Sequence, residues 1–287
     1  MASIKLRRPE NVPGDFYVDS TCIDCDQCRS IAPASFAQVG EMSAVVRQPR
    51  TQAEADAALK ALVTCPTASI GSSDHRSARA AAAAYPERIE GDVYFCGYAA
   101  ESSFGASSYL LARPEGNVLV DSPRFASQLA RGVDALGGIR WIFLTHRDDV
   151  ADHDKWARRF GAERILHAAD VTGGTAGVER RLTGRDPVAL APDLVAIPTP
   201  GHTAGHAVLL FRGRYLFTGD HLWWSPGRQA LTASRSVCWY SWTEQLASVR
   251  RLLDQRFEWV LPGHGRRFHA PPETMRAQLE AILAPRR

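Results

Sequence analysis

Short apolar runs that end in a potential metal ligand recur through most of this chain. The ligands at their ends are His146, His202, Asp220 and His264, and an Asp152-His153 pair lies just beyond the first. One such histidine after one strand means little. However, strand ends meet at one edge of a sheet, and imidazole and carboxylate groups are common metal ligands. The repeated pattern therefore predicts a sheet that builds a metal site.

A second metal signature lies upstream. Cys22, Cys25 and Cys28 are separated by two residues in each case, and Cys65-Pro66 follows on a distant segment. Three thiolates at these spacings can face a common centre from one loop, and a remote Cys-Pro supplies a fourth ligand in ferredoxins. A four-cysteine zinc site also accepts such spacings, but it usually offers two separated pairs. The pattern favours a 4Fe-4S cluster held by these four cysteines.

This cysteine segment resembles the single-cluster bacterial-type ferredoxins over roughly the first quarter of the chain. The resemblance implies electron transfer at low potential. Only one cluster is expected, because no second cysteine triplet precedes Cys65. A cluster that only stabilises the fold, without transferring electrons, is the alternative.

The chain has 287 residues, which is enough for two domains with their own cores. Residues 1–74 predict a small α+β unit with a helix from Gln52 to Val63. Residues 75–90 are alanine-rich and then contain proline, which favours a linker. Residues 91–287 alternate apolar strands with amphipathic helices, which is typical of a layered α/β fold. The predicted class is an α+β protein of two domains, the first of them ferredoxin-like.

The composition of the chain excludes several classes of binding partner and of cellular location. The net charge is +3 with both signs interspersed and no basic block, so nucleic acid is not expected. No apolar run approaches the roughly 20 residues that a membrane span needs, and the first residues lack the apolar region of a secretory signal. A disulfide framework fits poorly with three cysteines in one short loop. We therefore expect a cytoplasmic protein that binds no membrane.

From about Gly91 onward the chain resembles the metallo-β-lactamase superfamily. The resemblance rests on three sequence motifs, one each around His202, Asp220 and His264. They read Pro-Gly-His-Thr-Ala-Gly-His, Phe-Thr-Gly-Asp and Pro-Gly-His-Gly. The resemblance implies a four-layer αβ/βα sandwich with a metal cleft at one sheet edge. The family pattern is His-x-His-x-Asp-His, then a histidine, a bridging aspartate and a last histidine. It assigns one ion to His146, His202 and Asp220, and the other to Asp152, His153, Asp220 and His264.

The loop after His146 departs from that pattern. Asp152 lies six residues after His146 where the family has four, and the second histidine is absent. Counting forward places Asp148 in its position. Either Asp148 or Asp149 supplies a carboxylate ligand, or both only cap the following helix and the second metal position alone is fully occupied. The flavodiiron branch of the superfamily has glutamate there and uses iron, and anionic ligands favour iron or manganese over zinc.

Three functions remain open. An electron-transfer domain beside a carboxylate-rich site favours an iron-dependent oxidoreductase that acts on a small molecule, with one or two iron ions and an external electron donor. The motifs around His202, Asp220 and His264 are shared with hydrolases of the superfamily, which favours a glyoxalase II-like hydrolase of a thioester or lactone, with zinc or manganese as alternative metals and a structural or regulatory cluster. A non-catalytic metal or redox sensor is the third. Asp152 and Asp220 are the predicted catalytic residues, and the oligomeric state stays open.

Other residues near these motifs have two interpretations. The aromatic side chains that either wall a substrate pocket near Asp220 or pack into the core are Trp223, Trp224, Trp239 and Tyr240. His206 and His221 are expected to support the ligands through hydrogen bonds.

Overall fold

The computed structural model describes residues 2–72 and 75–284. The chain forms two compact units. Unit 1 comprises Met1–Arg140 with Ala151–Gly161, and unit 2 comprises Trp141–Val150 with Ala162–Arg287. The loop that follows His146 is therefore divided, because the chain passes from unit 2 to unit 1 after Val150.

The N-terminal part of unit 1 is a small α+β arrangement. Its elements are β1 (Tyr17–Val18), α1 (Gln27–Ile31), β2 (Phe36–Val39), β3 (Met42–Val45), α2 (Gln52–Thr64) and β4 (Ile70–Gly71). Strand β1 pairs antiparallel with β4, and β2 pairs antiparallel with β3. The β1–β4 pair brings the residues before the cysteine triplet beside those that follow Cys65.

Helix α2 has sequence signals at both ends. The Thr51 side chain accepts a hydrogen bond from the Glu54 backbone N–H and so caps the N-terminus. Cys65 precedes Pro66, and the residue before a proline is disfavoured in the helical region. The helix therefore ends just before Cys65, which places this thiol at the helix end.

The rest of unit 1 is an antiparallel sheet with helices. Its elements are α3 (His75–Ala83), β5 (Glu87–Glu90), β6 (Val93–Phe95), β7 (Tyr109–Leu111), β8 (Val118–Val120), α4 (Ser127–Ala135) and α5 (His153–Phe160). The strands pair in chain order, β5 with β6, β6 with β7 and β7 with β8. Residues 75–90, which the sequence predicts as a linker, thus carry a helix and the first strand of this sheet.

Unit 2 contains a parallel group of strands, a larger mixed sheet and a hairpin. The parallel group is β9 (Trp141–Phe143), β10 (Glu163–His167) and β11 (Arg180–Leu182). The mixed sheet has the order β12 (Val188–Ala191), β13 (Leu194–Pro198), β14 (Ala207–Phe211), β15 (Tyr215–Gly219), β18 (Trp259–Pro262) and β19 (Phe268–His269). The hairpin is β16 (Trp223–Ser225) with β17 (Ala230–Thr232), and the helices are α6 (Trp242–Leu252) and α7 (Pro272–Leu283).

The core of unit 2 fixes the mixed sheet beneath the predicted ligands. Helices α6 and α7 contribute apolar side chains to a buried cluster with the sheet, among them Val249, Leu252, Met275, Leu279, Leu216 and Val260. Burying one such side chain fully contributes about 1.5–3 kcal/mol. The strands that carry the loops are therefore firmly held.

Two neighbouring strands explain why distant ligands meet. Strands β15 and β18 are parallel, with Phe217 opposite Leu261. Asp220 directly follows β15 and His264 follows β18, so both leave the same edge of the sheet. The Gly263 N–H donates to the Gly219 carbonyl at 2.9 Å and holds the two strand ends together.

Within residues 2–72 and 75–284, none of the helices has the length and apolar character that crossing a bilayer requires.

Candidate metal centres

The four predicted cluster ligands lie around one cavity. Cys22, Cys25, Cys28 and Cys65 line it together with Ser43 and Ser69, among others. Between the cysteines of the triplet, Asp24 and Asp26 adopt positive φ angles of 58° and 68°. Aspartate tolerates this left-handed conformation better than most residues, which lets the short loop turn back on itself.

The donors of this cavity fit a bound cluster. Burial raises the pKa of Cys25 to about 12, and the charges of the other cysteines add to the effect. Burial likewise raises the pKa of Cys28 to about 12. Such thiols ionise when a metal replaces their protons. The Ser69 backbone N–H already donates to the Cys65 sulfur at 3.3 Å, and such bonds accompany Fe–S ligation.

A glycine packs against this loop from later in unit 1. Gly105 has φ +81°, and a Cβ built on it would lie 2.6 Å from the Cys25 Cβ. The Gln27 side-chain amide donates to the Gly105 carbonyl at 2.8 Å and to the Ser107 hydroxyl at 2.9 Å. The Gly105 backbone therefore lies close against the Cys25 side chain, at a position and a backbone conformation that favour glycine.

Histidines and carboxylates from separate loops of unit 2 form the second site. His146, Asp148 and His202 offer ligand atoms that all lie within 4.8 Å of one another, and His146, Asp149 and Asp220 form a second such group. The His202 Nε2 lies 3.4 Å from an Asp148 oxygen and 3.6 Å from Asp220 Oδ2. These separations suit ligands that surround an ion rather than bond to each other.

Asp220 occupies the shared position. Its Oδ2 lies 3.8 Å from the His146 Nε2, 3.6 Å from the His202 Nε2 and 3.9 Å from the His264 Nε2. His264 also lies 3.6 Å from Asp149 Oδ1. One carboxylate thus faces both the His146–His202 pair and the Asp149–His264 pair, which is the arrangement needed to bridge two ions.

The burial of these atoms tests whether a metal fits. Among the described residues, the Nε2 atoms of His146 and His202 have no hydrogen-bond partner, and neither does Oδ2 of Asp149 or Oδ1 of Asp220. Buried polar atoms are normally satisfied, because an unmade hydrogen bond costs about 1–3 kcal/mol. The two unpartnered Nε2 atoms face the Asp220 carboxylate at 3.8 and 3.6 Å, and a cation between these groups would satisfy them.

The opposite ring nitrogens of the two histidines are held in place. The His146 Nδ1 is hydrogen-bonded to the Thr145 hydroxyl at 2.9 Å. The His202 Nδ1 donates to the Val237 carbonyl at 2.5 Å. Partners of this kind fix the orientation of metal-binding imidazoles. Both Nε2 atoms are thereby left for the centre.

Asp170 is a residue that sequence reasoning missed. Its carboxylate is buried and accepts hydrogen bonds from the Arg147 backbone N–H at 3.1 Å, the Thr203 hydroxyl at 2.5 Å and the Gly205 backbone N–H at 2.7 Å. Arg147 follows the first histidine and Thr203 follows the second. Asp170 therefore ties together the two loops that carry them. No local motif marks it, since it only follows strand β10.

The charges of the site influence one another. The nearby His202 imidazole, 3.4 Å away, lowers the pKa of Asp148. Burial raises the pKa of Asp220, and the nearby Asp149 charge adds to this. Burial acts on Asp149 too, but His146 and His264 outweigh it and its pKa is lowered. Buried anions beside imidazoles form a strong site for a cation.

Asp152 and His153 lie in unit 1. The Asp152 carboxylate accepts a hydrogen bond from the Phe125 backbone N–H at 2.7 Å and pairs with the Lys155 ammonium at 2.8 Å. His153 is buried, with its Nδ1 3.7 Å from Asp154. Neither ligand group found among the described residues contains Asp152 or His153. Their predicted role as ligands stays a prediction, whereas Asp149 lies beside His264.

His206 and His221 form a buried layer next to the ligands. The ring of His206 lies 5.2 Å from that of His146 and 5.6 Å from that of His221. Burial lowers the pKa of His206 well below its usual value and that of His221 to about 3. Both imidazoles are therefore neutral at neutral pH. The Thr199 hydroxyl is hydrogen-bonded to the His206 Nδ1 at 2.9 Å.

The aromatic residues divide between surface and core. Trp239 and Tyr240 are 62% and 53% exposed, and both backbone N–H groups donate to the His202 carbonyl. The Trp239 ring lies 6.0 Å from the His202 ring. Trp224 instead stacks on Phe268 at 4.0 Å, so it belongs to the packing of unit 2.

Comparison with known families agrees with these two centres. The family described as 4Fe-4S single cluster domain of Ferredoxin I matches residues 18–72. The family described as Metallo-beta-lactamase superfamily matches residues 88–278, which is most of the chain. The chain belongs to the metallo-beta-lactamase superfamily. The predicted resemblance and fold class are confirmed, and so at the coarse level is a metal-dependent enzyme of this superfamily.

Two curated relatives are hydroxyacylglutathione hydrolases. The protein from Anaeromyxobacter dehalogenans is 37% identical over 125 residues, which are 41% of this chain and 46% of the relative. The protein from Acidiphilium cryptum is 34% identical over 119 residues, 40% of this chain and 48% of the relative. The chain thus spans about half the length of the curated relatives it matches.

A solved structure shows the same fold. The DIM-1 metallo-beta-lactamase, in a crystal exposed to ceftazidime, is 17% identical with a TM-score of 0.53. The match covers 68% of this chain and 95% of that chain. At this identity the likeness concerns the fold alone.

Proposed function

We propose that this superfamily member is an iron-dependent oxidoreductase that acts on a small molecule and receives electrons through its own 4Fe-4S cluster. The observation that carries the proposal is the group formed by His146, Asp148 and His202. Two histidines and one carboxylate with open positions are typical of non-haem iron(II) enzymes. Asp148 replaces an imidazole of the superfamily pattern by an anionic oxygen donor, which favours iron over zinc.

The cysteine cavity supports the same choice of metal. Zinc has no redox chemistry, so a cluster that delivers electrons would have nothing to reduce at a zinc centre. When bound, the cluster would supply single electrons from an external donor and iron would supply a redox-active binding position.

The protein's own residues position that centre. His146 and His202 present their Nε2 atoms because Thr145 and the Val237 carbonyl hold their Nδ1 atoms. Asp220 supplies the carboxylate shared between the two ligand groups. His202 is only 2% exposed, while the neighbouring Trp239 is 62% exposed. We expect Trp239 to contact the substrate rather than the metal.

A hydrolase is the second candidate, and the two curated relatives favour it. In that reaction water would add across a thioester, the carbon–sulfur bond would break, and a carboxylic acid and a thiol would result. The cluster would then be structural or regulatory. This reaction needs no reductant, which makes it separable from the first candidate.

The deciding experiment combines metal analysis of the anaerobically purified protein with activity assays of the Cys28→Ala variant. We expect four irons with sulfide in the cluster, and further iron in the second centre. Cys28→Ala should abolish reductant-dependent turnover with the fold intact. Four irons plus zinc, with thioester hydrolysis unchanged in Cys28→Ala, would instead establish the hydrolase.

A second variant tests whether Asp148 makes the second centre prefer iron over zinc. Asp148→His restores the imidazole of the superfamily pattern, so it should raise the zinc-to-iron ratio when metal-depleted protein is offered both ions. Asp186→His, at an exposed position of the same unit, should leave the ratio unchanged. Equal ratios in all three proteins would remove the role of Asp148 in metal choice.

A further inference from the structure

Arg124 lies beside the cluster cavity in unit 1. Its guanidinium group donates hydrogen bonds to the carbonyls of Val63 at 2.5 Å, Cys65 at 3.1 Å and Ala99 at 2.6 Å. The guanidinium carbon lies 5.3 Å from the centre of the Tyr98 ring. Arg124 thus holds the main chain of one predicted cluster ligand directly.

No carboxylate among the described residues pairs with the charge of Arg124. Among the described residues its hydrogen-bond acceptors are backbone carbonyls, and no ion pair includes it. The other arginine near the cysteine triplet differs, because Arg29 pairs with Asp24 and Asp26 at 2.5 Å each. Burial acts against the charge of Arg124 and lowers its pKa, while the charge of Cys65 raises it. A half-buried cation without a counter-ion is costly.

Capping a helix explains only part of this arrangement. Val63 and Cys65 lie at the C-terminal end of α2, where carbonyls lack partners within the helix and cations are favoured. A neutral donor would satisfy these carbonyls equally well. A full positive charge at this position is stabilised by a negative charge next to Cys65. A 4Fe-4S cluster with four thiolate ligands would supply that negative charge.

We propose that Arg124 is a positioning residue that raises the reduction potential of the 4Fe-4S cluster by acting as its counter-charge. When the cluster takes up one electron from a reductant, its negative charge increases by one and no bond is made or broken. A nearby cation stabilises that reduced state more than the oxidised one. The potential of such clusters depends on charge, hydrogen bonds and exposure. Arg124 acts on the cluster whichever reaction the other centre performs.

The test is a redox titration of the cluster in the full-length protein, with dithionite as reductant and the cluster spectrum as readout. Arg124→Gln keeps amide donors but removes the charge, so its midpoint potential should shift to a more negative value. Arg124→Lys restores the charge and should recover most of the shift. Lys60→Gln removes a cation of helix α2 that is already paired with Glu87 of strand β5, and it should leave the potential unchanged.

A further variant, Arg124→His, keeps the test decisive if Arg124→Gln does not fold. In Arg124→His the side chain is cationic only at low pH, so the midpoint potential should rise as pH falls, more steeply than in the wild type. A potential in Arg124→Gln equal to that of the wild type would overturn the proposal and leave Arg124 as a cap of α2. A pH dependence in Arg124→His no steeper than that of the wild type would overturn it as well.

Discussion

The cysteine cavity and the histidine–carboxylate centre are built in opposite ways. Three cavity ligands come from one short loop, and only Cys65 arrives from a distant segment. The second centre draws its candidate ligands from four separate loops: His146, Asp148 and Asp149 share the loop after β9, and His202, Asp220 and His264 each follow another strand. In the first case the spacing of residues along the chain sets the geometry. In the second the sheet sets it, and the sequence between the ligands is free to vary.

This difference explains how the loop after His146 can depart from its family pattern. Two extra residues in a cysteine triplet would move a thiol out of the cavity. Here Asp149 lies beside His264, while the Asp152 carboxylate binds the Phe125 backbone N–H. A centre assembled from separate strand ends can take a carboxylate from a neighbouring position of the loop, because the strands still deliver the remaining ligands.

The largest expected effect is a loss of metal affinity at the second centre that leaves the cluster in place. Asp220→Ala removes the carboxylate that faces three histidines, so metal affinity at the second centre should fall by at least about 100-fold. Mutation of residues that only orient metal ligands already lowers metal affinity by about 10- to 100-fold. Metal and sulfide analysis should show the cluster retained. Loss of cluster iron in the same variant would show that the two centres are not independent.

Two matched variants in the loop after His146 test which of its carboxylates binds metal. Asp149→Asn should weaken metal binding at the second centre by about 10- to 100-fold. Asp152→Asn should leave metal content unchanged and lower the free energy of unfolding by about 1 kcal/mol, because it loses the charged contact with Lys155. Metal titration and denaturant unfolding measure these effects. Metal loss in Asp152→Asn instead would establish Asp152 as the ligand that the family pattern assigns.

Stability and cluster retention in the cysteine region should respond to packing at Gly105. Gly105→Ala adds a Cβ 2.6 Å from that of Cys25 at a positive φ, whereas Gly40→Ala has φ +65° and open space. Gly40→Ala should cost about 1 kcal/mol for the backbone alone. Gly105→Ala should cost about 1–3 kcal/mol more through overpacking, with less cluster bound. Unfolding curves and cluster absorbance test this, and equal costs for the two variants would contradict it.

The smallest effect concerns Asp170. Asp170→Asn keeps the shape of the side chain but turns an amide group toward one of its backbone or hydroxyl donors. The two histidine loops should loosen, and metal affinity should fall by about 10-fold. Asp186→Asn is the exposed control. Unchanged affinity in Asp170→Asn would show that the strands alone position the two loops.

The sequence was most informative where ligands follow a fixed local pattern. The cysteine spacing predicted one cluster domain, and the glycine-flanked histidines and aspartate predicted the superfamily, both of which the family comparisons confirm. Helix α2 was predicted almost to the residue because Thr51 and Pro66 act on their nearest neighbours. Asp170 and Arg124 were missed, since each acts on residues far away in the chain.

The sequence by itself determined the kinds of donor this protein offers, because residue type and short spacing fix whether sulfur, nitrogen or oxygen faces a metal. It also determined the strand ends from which they leave. Only the tertiary structure decided that Asp149 lies beside His264, that Asp170 joins the two histidine loops, and that Arg124 binds the carbonyl of Cys65. These contacts depend on packing between distant segments, which no local pattern encodes.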